Sequence, residues 1–485
     1  MENGGSYLQK KDMAKVKKAW FCRECGNESP KWMGKCPACG EWNTMVEEVI
    51  NKLPDSSITS QNRAFLSAAN PLPQPLSQID SGCESRISLG NSELDRVLGG
   101  GIVEGSLILI GGEPGIGKST LSLQIPLFCN HLKTLYVSGE ESARQIKLRG
   151  ERLLNRIKEA DLRGSTDNCL ILSETLLENI LNRAKETKPG LLIIDSIQTI
   201  YSQNVESSAG SVSQVRECAA ALLRFAKESN TPVIIIGHIT KDGSIAGPKI
   251  LEHIVDVVLQ FEGDTRHSYR ILRSIKNRFG STAELAVYEM TSEGLEEVLN
   301  PSEMFIPMHD NNLSGTAVAA MLDGTRPFLI EVQSLVSTAA YGTPQRSATG
   351  FDVRRMNMLL AVLEKRVGFK LAQKDVFLNM AGGLKISDPA CDLAIVAAIL
   401  SSNFDVIIPN DIAFAAEIGL SGEIRPVSQI EKRISEAEKL GFKQILISSF
   451  SKIATESASN QLESGKNGIK VIKIATIQDL VKAIF

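Results

Sequence analysis

What the chain lacks narrows it first. None of its 485 residues belongs to an apolar run of 18 or more, whereas a membrane-spanning helix needs about 20. The opening segment MENGGSYLQKKDMAKVKKAW has no apolar core of the kind a secretory signal carries, so a cytoplasmic protein with no membrane partner is expected. Positive charge is not in excess, because 53 Lys and Arg stand against 56 Asp and Glu. That balance excludes a generally basic nucleic-acid coat and confines any DNA contact to local patches. Cysteine is scarce, and five of the nine, Cys83, Cys129, Cys169, Cys218 and Cys391, are scattered singly, as reduced cytosolic thiols are.

The other four cysteines are grouped. Cys22 with Cys25 (CRECG) and Cys36 with Cys39 (CPACG) form two CxxC knuckles, and four thiolates at that spacing close a tetrahedron around Zn²⁺. Gly26 and Gly40, one after each knuckle, let the backbone turn so that amides face the sulfurs. A closed four-sulfur site leaves no coordination position for catalysis, so this module is expected to recognise something. Trp32 and Trp42 beside the knuckles can stack on a base or a partner, or form the miniature core; the core role is expected for at least one. Between Gln9 and Gly40, eight Lys and Arg stand against three Asp and Glu, which reads equally as a solvated tail or a nucleic-acid contact. Met13 opens MAKVKKAWFC, and the twelve residues before it carry no functional expectation.

Gly112, Glu113, Pro114, Gly115, Ile116, Gly117, Lys118, Ser119 and Thr120 follow the apolar run Leu107 to Ile110 and precede a helix-like stretch. Strand, glycine-rich loop and helix in that order are what a phosphate-binding P-loop requires. The glycines turn backbone N–H groups inward, Lys118 reaches the β- and γ-phosphates of a nucleoside triphosphate, and the Ser119 hydroxyl can ligate Mg²⁺. The next strand, KTLYVS, ends in Gly139, Glu140 and Glu141, at the strand end where open α/β sheets bind ligands. Glu140 is expected to polarise the attacking water, with Glu141 the second choice, and one of the two to favour the start of the following helix. In LLIIDS the apolar run Leu191 to Ile194 ends in Asp195, with Ser196 after it; Asp195 is a second strand-end carboxylate, suited to the Mg²⁺ shell. PVIIIG leads into His238, either a sensor of the γ-phosphate or a hydrogen-bonded strand-end histidine.

In this order, the P-loop, strand-end glutamate and strand-end aspartate resemble the RecA-type ATPases. KNRFG, from Lys276 through Arg278 to Gly280, together with the paired CxxC motifs and IDSIQT at residues 194–199, narrows the resemblance to the bacterial RadA (Sms) family from Met13 onward. The resemblance implies that Lys276 and Arg278 act across a subunit boundary on a neighbour's nucleotide, within a homo-oligomeric ring, a hexamer in the family. It also implies single-stranded and branched DNA, and the RecA recombinase, as partners. Two Ser/Gly-rich stretches, Tyr201 to Gln214 and Thr240 to Lys249, resemble the flexible channel loops with which such motors grip DNA, and Lys241 and Lys249 are candidate phosphate contacts.

From Pro301 onward a second α/β pattern resembles the proteolytic domain of Lon proteases. The residues needed for that chemistry are missing. Where the family has its nucleophilic serine, this chain has Asp388, Pro389 and Ala390, and its lysine partner falls at Glu431. Cys391 has no identifiable base, so no active protease is expected. Arg346, Arg354, Arg355, Lys365 and Arg366 make either a DNA-facing stripe or a solvated helix face.

The expected fold is α/β: a basic flexible N-terminus (1–19), a zinc ribbon (20–48), a linker (49–85), a RecA-type P-loop ATPase core (86–297) and a Lon-protease-like α/β domain (298–485). The expected function is a DNA-dependent ATPase motor of recombination and repair that drives branch migration. An ATP-switched DNA-binding scaffold regulating the recombinase is the alternative.

Overall fold

A computed structural model describes residues 17–22, 27–38, 40–50, 75, 85–155, 166–238, 250–263, 268–306, 313–339, 343–381, 386–453 and 468–485. The chain divides into two compact units, residues 1–282 with 286–297, and residues 283–285 with 298–485. No helix among the described residues is long and apolar enough to cross a membrane.

The first unit begins with a three-stranded antiparallel sheet in which β1 (Lys17–Cys22) lies between β2 (Glu28–Ser29) and β3 (Met45–Ile50). A nine-stranded sheet follows. Its centre is built from β6 (Leu107–Gly112), β7 (Thr134–Ser138), β9 (Leu191–Asp195) and β10 (Val233–His238), and nearly every residue of these strands is buried. Runs such as LILI and LLII are apolar on both faces because helices cover both faces, as parallel sheets require. Ile108, Ile110, Tyr136 and Ile193 join one core with α2 (Lys118–Phe128) and α3 (Ala143–Leu154), while Leu107, Leu109, Leu135 and Leu192 join another with α4 (Leu177–Thr187) and α5 (Val212–Ser229). Strand α-carbons alternate faces, so each strand feeds both cores.

Two short strands precede this sheet, β4 (Arg86–Ile87) and β5 (Ile102–Val103), with α1 (Ser92–Leu98) between them. The sheet itself runs β14-β13-β12-β11-β6-β10-β9-β7-β8, with β8 (Cys169–Ser173), β11 (Val257–Glu262), β12 (Tyr269–Asn277), β13 (Leu285–Thr291) and β14 (Gly294–Glu297) as its other members. From β11 to β8 the pairs are parallel, and β12 runs antiparallel to β11. The sheet therefore has a ligand edge, where β6, β7, β9 and β10 end, and an opposite edge, where β6 begins and β12 ends. A six-residue strand separates them by about 20 Å.

The second unit contains a seven-stranded mixed sheet, β17-β18-β16-β15-β19-β20-β21, made of β15 (Thr316–Asp323), β16 (Arg326–Thr338), β17 (Arg346–Thr349), β18 (Lys374–Met380), β19 (Ile412–Ala415), β20 (Gln444–Ser448) and β21 (Lys470–Ile474). The helix over Asp392–Phe404 buries its first ten residues. Apolar almost all round, it packs against β15 and β16 as a central helix does.

Candidate active site

The P-loop joins β6 to α2. Gly117 stands before the helix at φ +119°, a left-handed conformation suited to glycine, and a β-carbon there would lie 2.8 Å from Met290 Cε. No side chain caps α2, so the first amides of the helix, which have no intrahelical partner, are available to an anion. Lys118 is buried and folded back, its ammonium donating to the carbonyls of Gly112 and Glu113 at 2.8 Å each. Burial lowers this lysine to about 8, against the pull of Asp195, Glu140 and Glu113. An uncapped helix start, an ammonium held on the loop and half-buried Ser119 and Thr120 fit a magnesium triphosphate.

Three strand ends deliver the remaining groups to the same edge. Asp195 is buried and accepts from the Tyr136 hydroxyl at 2.6 Å; burial and that carboxylate push the phenol well up, so it stays a donor. Glu140 accepts from Ser196 Oγ at 2.6 Å. His238 brings Nε2 to 3.5 Å from the same Glu140 oxygen, while its Nδ1 is buried with no hydrogen-bond partner among the described residues.

Glu141 goes elsewhere, paired with Arg149 of α3. The helix itself is started by Ser142 and Gln145, whose side chains satisfy each other's backbone amides. Sequence reading missed Tyr136, Ser196 and Arg149. The Ser directly after the strand-end Asp was a signal for one of them; the other two depend on which way a strand and a helix face.

Lys276 and Arg278 lie at the opposite edge. The Lys276 ammonium donates to the carbonyls of Glu252 and Val255 at 2.6 and 2.8 Å, and burial, then the neighbouring Arg278, lower it from its ordinary value. Arg278 is more than half exposed and reaches Asp256 at 3.2 Å. Asp256 is buried; its carboxylate also takes the Leu107 amide at 3.1 Å and the Lys227 ammonium at 3.0 Å. It too was missed, since an aspartate before a strand carries no signal until the sheet order places it beside the start of β6.

In the ribbon, Cys22 and Cys36 are buried with Met45. The knuckles share one backbone pattern, in which each first cysteine's amide donates to the carbonyl five residues on, Cys22 to Asn27 and Cys36 to Glu41. A shared hydrogen-bond pattern and two buried sulfurs in one core fit a tetrahedral thiolate site. Cys25 and Cys39 lie outside the described residues, as does the stretch from Thr240 to Lys249 with Lys241. Trp32 and Trp42 are 53% and 68% exposed. Neither is core, against expectation, because Trp20 takes the position packed on the cysteines.

Two further expectations change. The stretch from Tyr201 to Gln214 is knit together rather than loose: the buried Gln214 side chain accepts from the Ser202 amide and donates to the carbonyls of Ser202, Val205 and Ser207. Arg355 is not part of an open stripe, since it grips the buried Asp392 through two bonds of 2.7 and 2.6 Å, whereas Arg354, Lys365 and Arg366 are exposed. At the turn 388–391, Asp388 accepts from Arg433 at 2.6 Å. Cys391 is fully enclosed and burial raises its thiol well above the ordinary range, the opposite of an activated nucleophile.

Residues 85–244 match the AAA domain family, residues 20–47 the rubredoxin metal binding domain, and residues 336–450 the family described as subunit ChlI of Mg-chelatase. The first implies ATP with Mg²⁺, and the second a metal, zinc for four thiolates. The DNA repair protein RadA of Bacillus subtilis (strain 168) is 48% identical over 474 residues, covering 97% of this chain and 99% of that one. The DNA repair protein RadA of Aquifex aeolicus (strain VF5) is 46% identical over 475 residues, covering 98% and 100%. Among solved structures, the RadB recombinase is 23% identical, covers 44% of this chain and 99% of that chain, and has a TM-score of 0.36. The expected fold class holds: a zinc ribbon, a RecA-type P-loop core and a Lon-like α/β domain.

Proposed function

The chain belongs to the DNA repair protein RadA family, and on that premise we propose that it is a cytoplasmic, DNA-dependent ATPase motor that extends heteroduplex by branch migration, working as a ring with the RecA recombinase. One observation carries the reading. Lys118, Glu140 and Asp195 share the ligand edge of the sheet, while Arg278 is exposed at the other edge, about 20 Å away along β6, beyond reach of its own P-loop. Besides its pair with Asp256, an arginine so placed could reach only another chain's nucleotide, where it would stabilise charge developing on the γ-phosphate.

Within the cis half, Lys118 leaves the loop carbonyls for the phosphates. Glu140, steadied by Ser196, would orient and deprotonate water, and Ser119 and Asp195 would hold the Mg²⁺, which when bound would supply positive charge to offset that of the phosphates. The four thiolates of Cys22, Cys25, Cys36 and Cys39 would hold zinc as a structural ion. Asp388 and Arg433 fill the Lon-like turn as a structural pair, and with Cys391 enclosed the domain serves assembly or binding, not proteolysis.

The decisive assay is ATP-dependent extension of a labelled D-loop, or unwinding of a forked duplex, by purified protein. Lys118→Ala and Lys276→Ala should each abolish it, and wild-type behaviour of both would overturn the motor. Mixing the two inactive variants should restore ATP turnover, because intact P-loops then meet intact neighbours. Turnover without directional DNA work would instead fit an ATP-switched scaffold that regulates the recombinase.

A further inference from the structure

All three tryptophans of the chain, Trp20, Trp32 and Trp42, lie in the ribbon. Trp20 packs on the cysteine core, while Trp32 and Trp42 converge over Gly34. Ring atoms Cη2 of Trp32 and Cζ3 of Trp42 lie 3.5 and 3.8 Å from where a β-carbon at Gly34 would stand, so the two exposed indoles both border the bare backbone of Gly34. The arrangement is fixed by the backbone: Lys35 pairs antiparallel with Trp42, and the Asn43 amide donates to the Gly34 carbonyl at 2.8 Å. Two indoles held in water by a rigid turn forgo a large apolar burial.

The charges beside them select the occupant. The Lys35 ammonium stands 5.6 Å from the centre of the Trp42 ring, within cation–π reach, and exposed Lys31 precedes Trp32. Flat aromatic faces with cations at their margin suit a ligand that is flat and apolar where it stacks and anionic where it links, namely an unpaired nucleotide chain.

We propose that Trp32 and Trp42 form a stacking platform for unpaired bases of single-stranded DNA, with Lys31 and Lys35 meeting the flanking phosphates. The proposal extends the DNA-motor reading and rests on it for the class of partner. It adds a second contact outside the ATPase core, joined to it through residues 49–85.

The position of the tryptophans supplies the readout, since tryptophan emission, excited beyond the tyrosine band, reports on the ribbon alone. A dye-labelled oligothymidylate is titrated into the full-length protein without nucleotide, following dye anisotropy and tryptophan emission together. Emission should be quenched along the anisotropy curve. Trp32→Leu and Trp42→Leu should each weaken binding roughly tenfold, and the Phe variants much less, because Phe keeps a face to stack on; zinc content checks that each ribbon is intact. Rising anisotropy with unchanged emission, or Leu variants that bind as wild type, would overturn the platform and leave the motor standing. No anisotropy change with the wild type would overturn the DNA reading itself. Leu variants that keep DNA affinity but lose binding to purified RecA recombinase would overturn the platform in favour of a protein-docking surface.

Discussion

Replacing Glu140 by Gln should lower ATP turnover by roughly 10²- to 10⁴-fold, the usual contribution of a positioned base, whereas Glu141→Gln should change it less than about threefold on the same scale. A steady-state assay of both variants checks this, and equal losses would reject the assignment. The difference comes from partners. Ser196 and His238 surround one carboxylate, and Arg149 takes the other. Sequence placed both glutamates at the strand end and ranked Glu140 first, but the partner that sets Glu141 apart, Arg149, depends on which way α3 turns and was not legible there. Lys118 adds a pH dependence. Burial holds it at about 8, and only the protonated form binds phosphate well. Affinity should be fully present below that pH and fall as pH rises through it, toward about tenfold per unit. Titration with a non-hydrolysable ATP analogue should show this loss, with proton uptake on binding in the alkaline range; a flat profile would contradict it.

Asp388→Ala should destabilise the C-terminal unit by about 3–5 kcal/mol, measured by denaturant unfolding, because it strands a buried guanidinium. Arg433 is almost wholly enclosed, and its remaining bonds are to the carbonyls of Ser428 and Ala320. A cost under about 1 kcal/mol, as for an exposed pair, would mean that water reaches the site. At the scale of elements the sequence was read well wherever both faces of a strand were apolar, and β6, β7, β9 and β10 carry the P-loop, Glu140, Asp195 and His238 as expected. It was read less well where a single side chain organises a turn. Composition made Tyr201 to Gln214 look loose, yet one buried amide spans it. Charge counting put Arg355 on an open face, yet a buried aspartate lies beneath it. Glu431 was aligned opposite the 388–391 turn, but the side chain that reaches that turn is Arg433, two residues on. In each case the deciding partner is distant in sequence or hidden by helical phase.

For the whole molecule, a site completed by a neighbour predicts that turnover per chain rises with protein concentration and is lost on dilution below the assembly range. Arg278→Ala should bind ATP normally yet turn it over roughly 10³- to 10⁵-fold more slowly, as for other trans-acting arginines; concentration-independent turnover would rule out the shared site. Asp256 gives this arrangement a further property. One buried carboxylate holds both the outward-facing Arg278 and the amide that begins β6, and β6 runs straight into the loop whose carbonyls hold Lys118. A strand paired on both sides by its sheet is stiff along its length, so, in the ring proposed above, a pull on Arg278 from the next nucleotide would be delivered as a small displacement of the chain's own phosphate loop. In a ring, such push-rods would let each chain sense when its neighbour has fired, and the order of firing would be written into a single strand of each subunit.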